Sequence, residues 1–272
     1  MTSTQFDLSS LLEPLGKHTL ILTPNNRLKR KILQAWGEHC EAQGQKYWSS
    51  PNVHALADWQ MECWTQLQDR AHRDCDHNIA SDALRKFAWQ QAIQTSAHGG
   101  GLYKTEVLAA NADSAWRNLG LWQVTQNQLD EFLNPELEHF LGWLKQVEGT
   151  LKLHGLITRE CSFEKVRVAF LEGGLAQQEA ILLHGFDDLP PLHRSLCEAA
   201  CKTLIENPKL QRPLGRLSRT SALNESAEIL AAALWSRDIL SQDPKARIGI
   251  IVPKLGQSRD EVERLFTEVF EA

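Results

Sequence analysis

Hydrophobic positions follow two different spacings along the chain. Short, mainly apolar runs at residues 20–23 and 181–183 end in turns, as buried strands do. From about residue 53 to residue 161 no strand-like run appears, and apolar residues recur at helical spacing, most clearly from Leu133 to Leu151. The pattern predicts α/β structure on both sides of a long helical segment.

Capping residues support this division, because Asn and Ser are common where helices begin. Asn25 or Asn26 can cap a helix over residues 27–40, and Asn134 can begin the long apolar helix. Other predicted elements are helices after Ser81 and Ser162, helices over residues 191–205, 225–240 and 259–270, and a strand over residues 247–252.

These elements predict a discontinuous fold. Residues 1–54 and 162–215 would form one α/β domain, residues 55–161 an inserted all-helical domain, and residues 219–272 the start of a second α/β domain. The two apolar runs should then lie in the same sheet. Because a lone helix–strand–helix unit has no sheet against which to bury its faces, we expect these residues to belong to a longer protein.

Composition narrows the class of protein. Hydrophobic residues make up 42% of the chain and charged residues 23%, as in ordinary globular proteins. No apolar run approaches the roughly 20 residues that cross a bilayer, and the first residues lack a signal-peptide pattern, so we expect a cytoplasmic protein outside the membrane. The net charge of −5 argues against a broadly basic surface, so a nucleic-acid site would have to be local.

One local candidate is a basic cluster directly after the first strand. It combines two amide side chains with four cationic ones: Asn25, Asn26, Arg27, Lys29, Arg30 and Lys31. The N–H groups at a helix start, amides and cations together suit a phosphate backbone, so these residues are candidate contacts to single-stranded DNA. The alternative is an ordinary solvated helix face.

A second candidate site follows the run at 181–183. Its residues are His184, Gly185, Phe186, Asp187 and Asp188. With His193, the histidine and the two acids could gather a metal ion, since imidazole and carboxylate are ordinary ligands. The alternative, which we favour, is a hydrogen-bonded His184 followed by an Asp-capped turn.

A zinc site is a further possibility in the segment AHRDCDH. His72, Cys75 and His77 could ligate zinc together with Cys63. Their spacing matches no standard zinc finger and their neighbours are charged, which favours a solvated loop. The sequence therefore predicts no metal site.

Three stretches in this order resemble the amino-terminal half of the AddB/RexB-like subunits of recombinational DNA-repair nucleases. They are LILTPNNRLKRKIL, ILLHGFDDLPPLHRSLCEA, and NESAEILAAALWSRDIL followed by ARIGIIVPKLGQSRDEVERLF. Within that family the chain is most similar to the bacterial group described as probable DNA repair proteins. The resemblance implies an α/β, RecA-like helicase core of superfamily 1 type, interrupted by an all-helical insertion and followed by the start of a second RecA-like unit.

The resemblance also implies that the helicase chemistry is lost. In the family the strand before the Gly–Phe pair ends in an acid, where this chain has His184. Gly16 and Lys17 cannot form a phosphate loop, because they precede the strand and no glycine lies five residues earlier. We expect neither ATP nor another cofactor to bind. Full-length relatives carry a PD-(D/E)XK nuclease domain that these residues lack, so we assign no catalytic residue.

Three hypotheses for function follow. The first is a non-catalytic, helicase-like scaffold of an AddB-like DNA-repair exonuclease subunit, which holds or scans single-stranded or unwinding DNA and works with a helicase-nuclease partner subunit. The second is a protein-interaction module that docks a helicase partner without touching nucleic acid. The third, a metal-dependent hydrolase centred on His184 and Asp187, is the least favoured.

Overall fold

The fold consists of two compact units, Met1–Leu210 and Gln211–Ala272. The structure is a computed structural model that describes residues 8–17, 19–73, 75–96, 104–206 and 217–271. The first unit holds a parallel sheet and a helical core, which places the protein in the α/β class. None of the helices in the described ranges is long and apolar enough to span a bilayer.

The first unit begins with a short helix and then mixes strands with helices. In chain order its elements are α1 (Leu12–Gly16), β1 (Leu20–Thr23), α2 (Asn26–Ala42), β2 (Val53–Ala55), α3 (Leu56–Asp69), β3 (Asn78–Ile79), α4 (Asp82–Thr95), α5 (Thr105–Leu121), α6 (Gln126–Asp130), α7 (Pro135–Leu153), β4 (Leu156–Ile157), α8 (Arg159–Leu171), β5 (Gln178–Leu183), α9 (Pro191–Ala199) and β6 (Cys201–Glu206).

Four parallel strands in the order β2-β1-β5-β6 form the main sheet. β1 and β5 are neighbours at its centre, with Leu20 opposite Ile181 and Leu22 opposite Leu183. The prediction that the apolar runs at 20–23 and 181–183 lie in one sheet is confirmed. Both runs are mainly apolar because helices cover both faces of the sheet.

Side chains that alternate along β1 and β5 enter two different cores. Ile21 and Leu182 pack with Ile32 of α2 on one face. Leu22 and Leu183 pack with α3, α8 and α9 on the other face. Each fully buried Leu or Ile contributes about 1.5–3 kcal/mol through the hydrophobic effect, so both faces hold the sheet in place.

The helical segment has a core of its own, centred on Trp89 of α4. The Trp89 ring stacks on Phe140 of α7 at 5.6 Å and meets Trp116 of α5 edge-on at 5.9 Å. Arg85 of α4 and Asp113 of α5 form a buried, bidentate ion pair beside it. This core confirms that most of the segment is helical and that Trp89 is a packing residue.

The expectation of no strand between residues 53 and 161 is wrong. Val53 of β2 pairs with Ile21, and α3 after it packs against the main sheet. β3 and β4 form a second, two-stranded parallel sheet at the base of the helical segment. These strands have two or three residues each, which is too short to leave an alternating pattern in the sequence.

The predicted helix over residues 191–205 is also corrected. α9 ends at Ala199, and β6 begins two residues later as the edge strand beside β5. Backbone pairing with β5, a contact distant in sequence, overrides the helical spacing of the apolar side chains. α8 likewise begins earlier than predicted, because Thr158 rather than Ser162 accepts the capping hydrogen bond from the Cys161 amide.

The described part of the second unit is helical. Asn224 caps α10 (Glu225–Gln242), which packs with α11 (Leu255–Glu271). The strand predicted over residues 247–252 is wrong, because this segment has no regular structure and pairs with no described strand. A strand forms only where a neighbour satisfies its N–H and C=O groups. The predicted boundary before residue 219 falls beside residues 207–216, which lie outside the described residues.

Candidate nucleic-acid interface

The two candidate sites lie next to each other at the carboxyl edge of the main sheet. Leu22 pairs with Leu183, and the amide of His184 donates a hydrogen bond to the carbonyl of Leu22 at 2.9 Å. The basic cluster follows β1 and the His184–Asp188 segment follows β5. Because parallel strands end at the same edge, residues about 160 positions apart share one surface.

This edge is a topological switch point. The chain leaves β1 through α2 towards β2, and it leaves β5 through α9 towards β6 on the opposite side. α2 covers one face of the sheet and α9 the other. In open α/β sheets, ligands usually bind at such a point, outside the carboxyl ends of the strands.

Hydrogen bonds fix the turn between β1 and α2. The buried Thr23 hydroxyl lies 3.1 Å from the Asn25 carbonyl oxygen and 3.2 Å from that of His54 in β2, and it can donate to either. Asn25 Oδ1 accepts the Leu28 amide at 3.0 Å and so caps α2. Asn26 Nδ2 donates to Asp58 of α3 at 2.7 Å. The side-chain amides of Asn25 and Asn26, which the sequence predicts as DNA contacts, therefore already form hydrogen bonds that hold the turn in place.

The cationic residues of the cluster occupy the solvent side of α2. Arg27, Arg30 and Lys31 are exposed on one stripe, and Lys29 is partly buried. None of these four makes an ion pair with another described residue. They stand in the first turns of a helix that has no acidic residue at its start.

This placement runs against the helix dipole. Each cation near a helix amino terminus costs about 0.3–1 kcal/mol, whereas an anion there is stabilising. The amides of Asn26 and Arg27 have no acceptor among the described residues, while those of Leu28 and Lys29 bond to Asn25. The start of α2 therefore combines free N–H groups and positive side chains, which is the chemistry that binds phosphate.

The turn after β5 packs against the same helix. Gly185 has a φ of +80° and lies against Leu28, so its backbone reaches the first turn of α2. Phe186 packs against the core, and Asp187 and Asp188 are exposed. Burial lowers the pKa of His184. Asp187 and Asp188 are acids, which disfavour an anion next to this turn.

The metal hypotheses find no support in the geometry. Within the described ranges no three His, Cys, Asp or Glu side chains come together to hold a metal ion. His193 packs on Phe163 with ring centroids 4.5 Å apart, and burial lowers its pKa to about 4. Burial also raises the pKa of Cys63 to about 12, so this thiol stays protonated in the core.

Sequence reasoning missed one feature, a cavity of about 600 Å³ between the helical core and α8. Its lining residues come from five elements and the segments between them, so no motif in the sequence could reveal it. A comparison of the chain with protein-family models and with curated proteins found no match.

Proposed function

We propose that this chain is a non-catalytic, helicase-like scaffold of an AddB-like DNA-repair exonuclease subunit, which holds single-stranded DNA at the carboxyl edge of its main sheet. The observation that carries the proposal is the basic, uncompensated start of α2 at the switch point between β1 and β5. The motifs of the sequence that resemble the AddB-like family supply the biological context.

The proposed contacts are phosphate contacts. The amides of Asn26 and Arg27 and the exposed side chains of Arg27, Arg30 and Lys31 would face the backbone of the strand. Such contacts position DNA without reading its sequence, because phosphates are the same at every nucleotide. The proposal therefore predicts binding with little sequence preference, as a scanning or holding subunit requires.

In this proposal the scaffold itself catalyses no hydrolysis. His184 follows β5 where a magnesium-binding acid would stand in an active motor, and partial burial lowers the pKa of its imidazole, which favours the neutral form. DNA would be held here while another part of the protein or a partner subunit performs the chemistry.

The test is binding of a fluorescein-labelled oligo(dT) followed by anisotropy. Arg27→Ala, Arg30→Ala and Lys31→Ala combined should weaken binding at low salt by about tenfold or more, since each phosphate contact adds to affinity. The matched control is Lys86→Ala, Lys104→Ala and Lys145→Ala combined, which removes the same charge from exposed positions in the helical segment. Equal weakening in both triple variants would mean non-specific attraction and refute the site.

A second candidate function, docking of a helicase partner, has its own observation. Trp122, Phe132 and Leu133 in the connection between α5 and α7 are 50%, 73% and 50% exposed. Exposed large apolar side chains mark a protein interface where they form one patch, and this candidate requires that these three do. If oligo(dT) does not distinguish the wild type from the first triple variant, this candidate becomes the better one.

A further inference from the structure

Two neighbouring aromatic side chains beyond the end of α2 are exposed to solvent. Tyr47 is 92% exposed and Trp48 is 38% exposed. Both belong to the connection between α2 and β2, which contains no helix or strand. A side chain stabilises the fold in proportion to the apolar area that it buries, so the ring of Tyr47 contributes little to stability.

Hydrogen bonds fix both ends of this connection. The amide of Gln45 donates to the carbonyl of Cys40 at 3.1 Å, which ties the first residues to the last turn of α2. At the other end, the carbonyl of Asn52 accepts a hydrogen bond from the amide of Ile21 in β1 at 2.8 Å. The two rings therefore stand on a short, anchored segment, which limits the conformational entropy that a bound ligand would have to remove.

The indole of Trp48 lies against α2 at Gly37. A Cβ atom on Gly37 would lie 3.4 Å from Cζ2 of the ring and 3.9 Å from Cε2. Gly37 follows Arg30 by seven residues, which is about two helical turns, so the two lie on the same side of α2 about 10 Å apart along the axis. The ring is therefore on the side of the helix that carries the exposed cations of the basic cluster.

The charge on this side of α2 changes sign along the helix. The exposed cations lie in the first two turns, whereas Glu38 and Glu41 follow in the later ones. Gln34 donates a hydrogen bond to Glu38 at 2.9 Å, and Lys46 is a single exposed cation next to Tyr47. Two carboxylates disfavour a phosphate at this end of the helix. A strand whose phosphates bind the first turns would thus have to be held here by its bases.

We propose that Tyr47 and Trp48 form a stacking site for the bases of single-stranded DNA whose phosphates bind the start of α2. The proposal rests on the function proposed above, because the cations of α2 supply the attraction for the strand. A basic surface beside exposed aromatic rings is the usual construction of a site for single-stranded nucleic acid. Every base has an aromatic face, so stacking agrees with binding that has little sequence preference.

The experiment compares two fluorescein-labelled oligomers of equal length, oligo(dT) and an abasic oligomer with the same phosphates, by anisotropy at low salt. Each stacked base strengthens binding by about fivefold or more, so the wild type should bind oligo(dT) at least about tenfold more tightly than the abasic oligomer. Tyr47→Ala should weaken oligo(dT) binding about fivefold and leave binding of the abasic oligomer unchanged. Tyr47→Phe keeps the ring and should retain the wild-type affinity for both oligomers.

Two further variants serve as comparisons. Trp48→Ala should weaken binding of oligo(dT) alone, as Tyr47→Ala does. Trp235→Ala is the matched control, because it removes an indole that is 55% exposed on α10 of the second unit, and it should change neither affinity. The triple alanine variant of the α2 cations should weaken binding of both oligomers by the same factor, since both carry the same phosphates.

The outcomes separate this proposal from the one on which it rests. Equal wild-type affinity for the two oligomers would overturn the stacking site and leave the phosphate site of α2 standing. A loss in Tyr47→Ala that is the same for both oligomers, or the same as the loss in Trp235→Ala, would do so too. Unchanged binding of both oligomers by the α2 triple variant would refute the phosphate site and, with it, the stacking site.

Discussion

Gly185 and Leu28 are in such close contact that a Cβ atom on Gly185 would lie 2.4 Å from Leu28 Cδ2. The contact joins the turn after β5 to the first turn of α2, although 157 positions separate the two residues. Gly185 also has a φ of +80°, a conformation that favours glycine. The geometry of the candidate interface therefore depends on the absence of a side chain at one position.

Gly185→Ala should destabilise the first unit by about 1–3 kcal/mol, since it adds backbone strain and forces the Leu28 side chain to move. Urea denaturation followed by circular dichroism measures this. Gly44→Ala is the matched control, because Gly44 has a φ of +78° with nothing within 4 Å of the added carbon. It should cost only about 1 kcal/mol. Similar costs at both glycines would contradict the close contact.

The Leu28→Ala background separates the two causes at Gly185. Removing Cδ2 opens the space that the new methyl group needs, so Gly185→Ala should then cost about as much as Gly44→Ala. An unchanged cost in that background would assign the whole effect to the backbone rather than to the contact with α2.

The ion pair between Arg85 and Asp113 leads to a second prediction. Asp113→Asn should destabilise the first unit by about 3 kcal/mol, because it removes the buried, bidentate partner of Arg85 and leaves only the exposed carboxylate of Asp82 beside the guanidinium. Arg85→Met combined with Asp113→Leu should cost less than Asp113→Asn alone, since no buried charge remains. Thermal denaturation measures both variants.

The control for this pair is an exposed Lys–Glu ion pair on the surface. Lys202 and Glu179 lie 2.6 Å apart on neighbouring strands and are 60% and 83% exposed. Glu179→Gln should change stability by less than about 1 kcal/mol. A similar loss at Glu179 and Asp113 would mean that burial does not set the strength of the Arg85 pair.

Those parts of the fold that depend on local signals could be predicted from the sequence. The strands at Leu20–Thr23 and 181–183 leave mainly apolar runs because both of their faces are buried. Asn25, Ser81 and Asn134 each accept the capping hydrogen bond that the sequence suggests. Caps and buried runs are determined within a few residues, so a single sequence carries them.

Those parts that depend on distant partners could not be predicted. β6 forms because β5 offers an unpaired edge, and residues 247–252 stay irregular because no described strand pairs with them. The sequence predicts that the side-chain amides of Asn25 and Asn26 contact DNA. In the fold, Asn25 Oδ1 accepts a hydrogen bond from the Leu28 amide, and Asn26 Nδ2 donates one to Asp58. Strand pairing and hydrogen bonds between distant side chains depend on the assembled fold. The helical or strand spacing of apolar residues does not reveal them.

His193 should make the first unit less stable in acid. Burial lowers its pKa in the folded state from 6.5 to about 4, so between these values the unfolded chain binds the extra proton. Above pH 6.5 His193 is neutral in both states and does not lower the free energy of unfolding. As the pH falls from 6.5 towards 4, the unfolded chain binds the proton first, and the free energy of unfolding falls by at most about 3 kcal/mol. Urea denaturation at a series of pH values measures the loss, and His184, whose pKa burial also lowers, adds to it.

His193→Phe should flatten this pH dependence, because the variant keeps an aromatic ring against Phe163 without a titrating nitrogen. His154→Asn is the control, since it removes an exposed imidazole after the end of α7. A wild-type slope that persists in His193→Phe would assign the acid sensitivity to other groups.

Salt dependence distinguishes a phosphate site on α2 from general attraction to a protein whose net charge is −5. Each phosphate neutralised on single-stranded DNA releases counterions and contributes about −0.7 to the slope of log affinity against log salt. Replacing Arg27, Arg30 and Lys31 by Ala should therefore make the slope shallower by about two if all three contact phosphates. Anisotropy titrations of oligo(dT) between about 50 and 300 mM salt measure this. The Lys86, Lys104 and Lys145 triple variant carries the same net charge, so a retained wild-type slope in that protein locates the contacts on α2. Equal slopes in the wild type and the α2 variant would mean that DNA does not bind at this edge of the sheet.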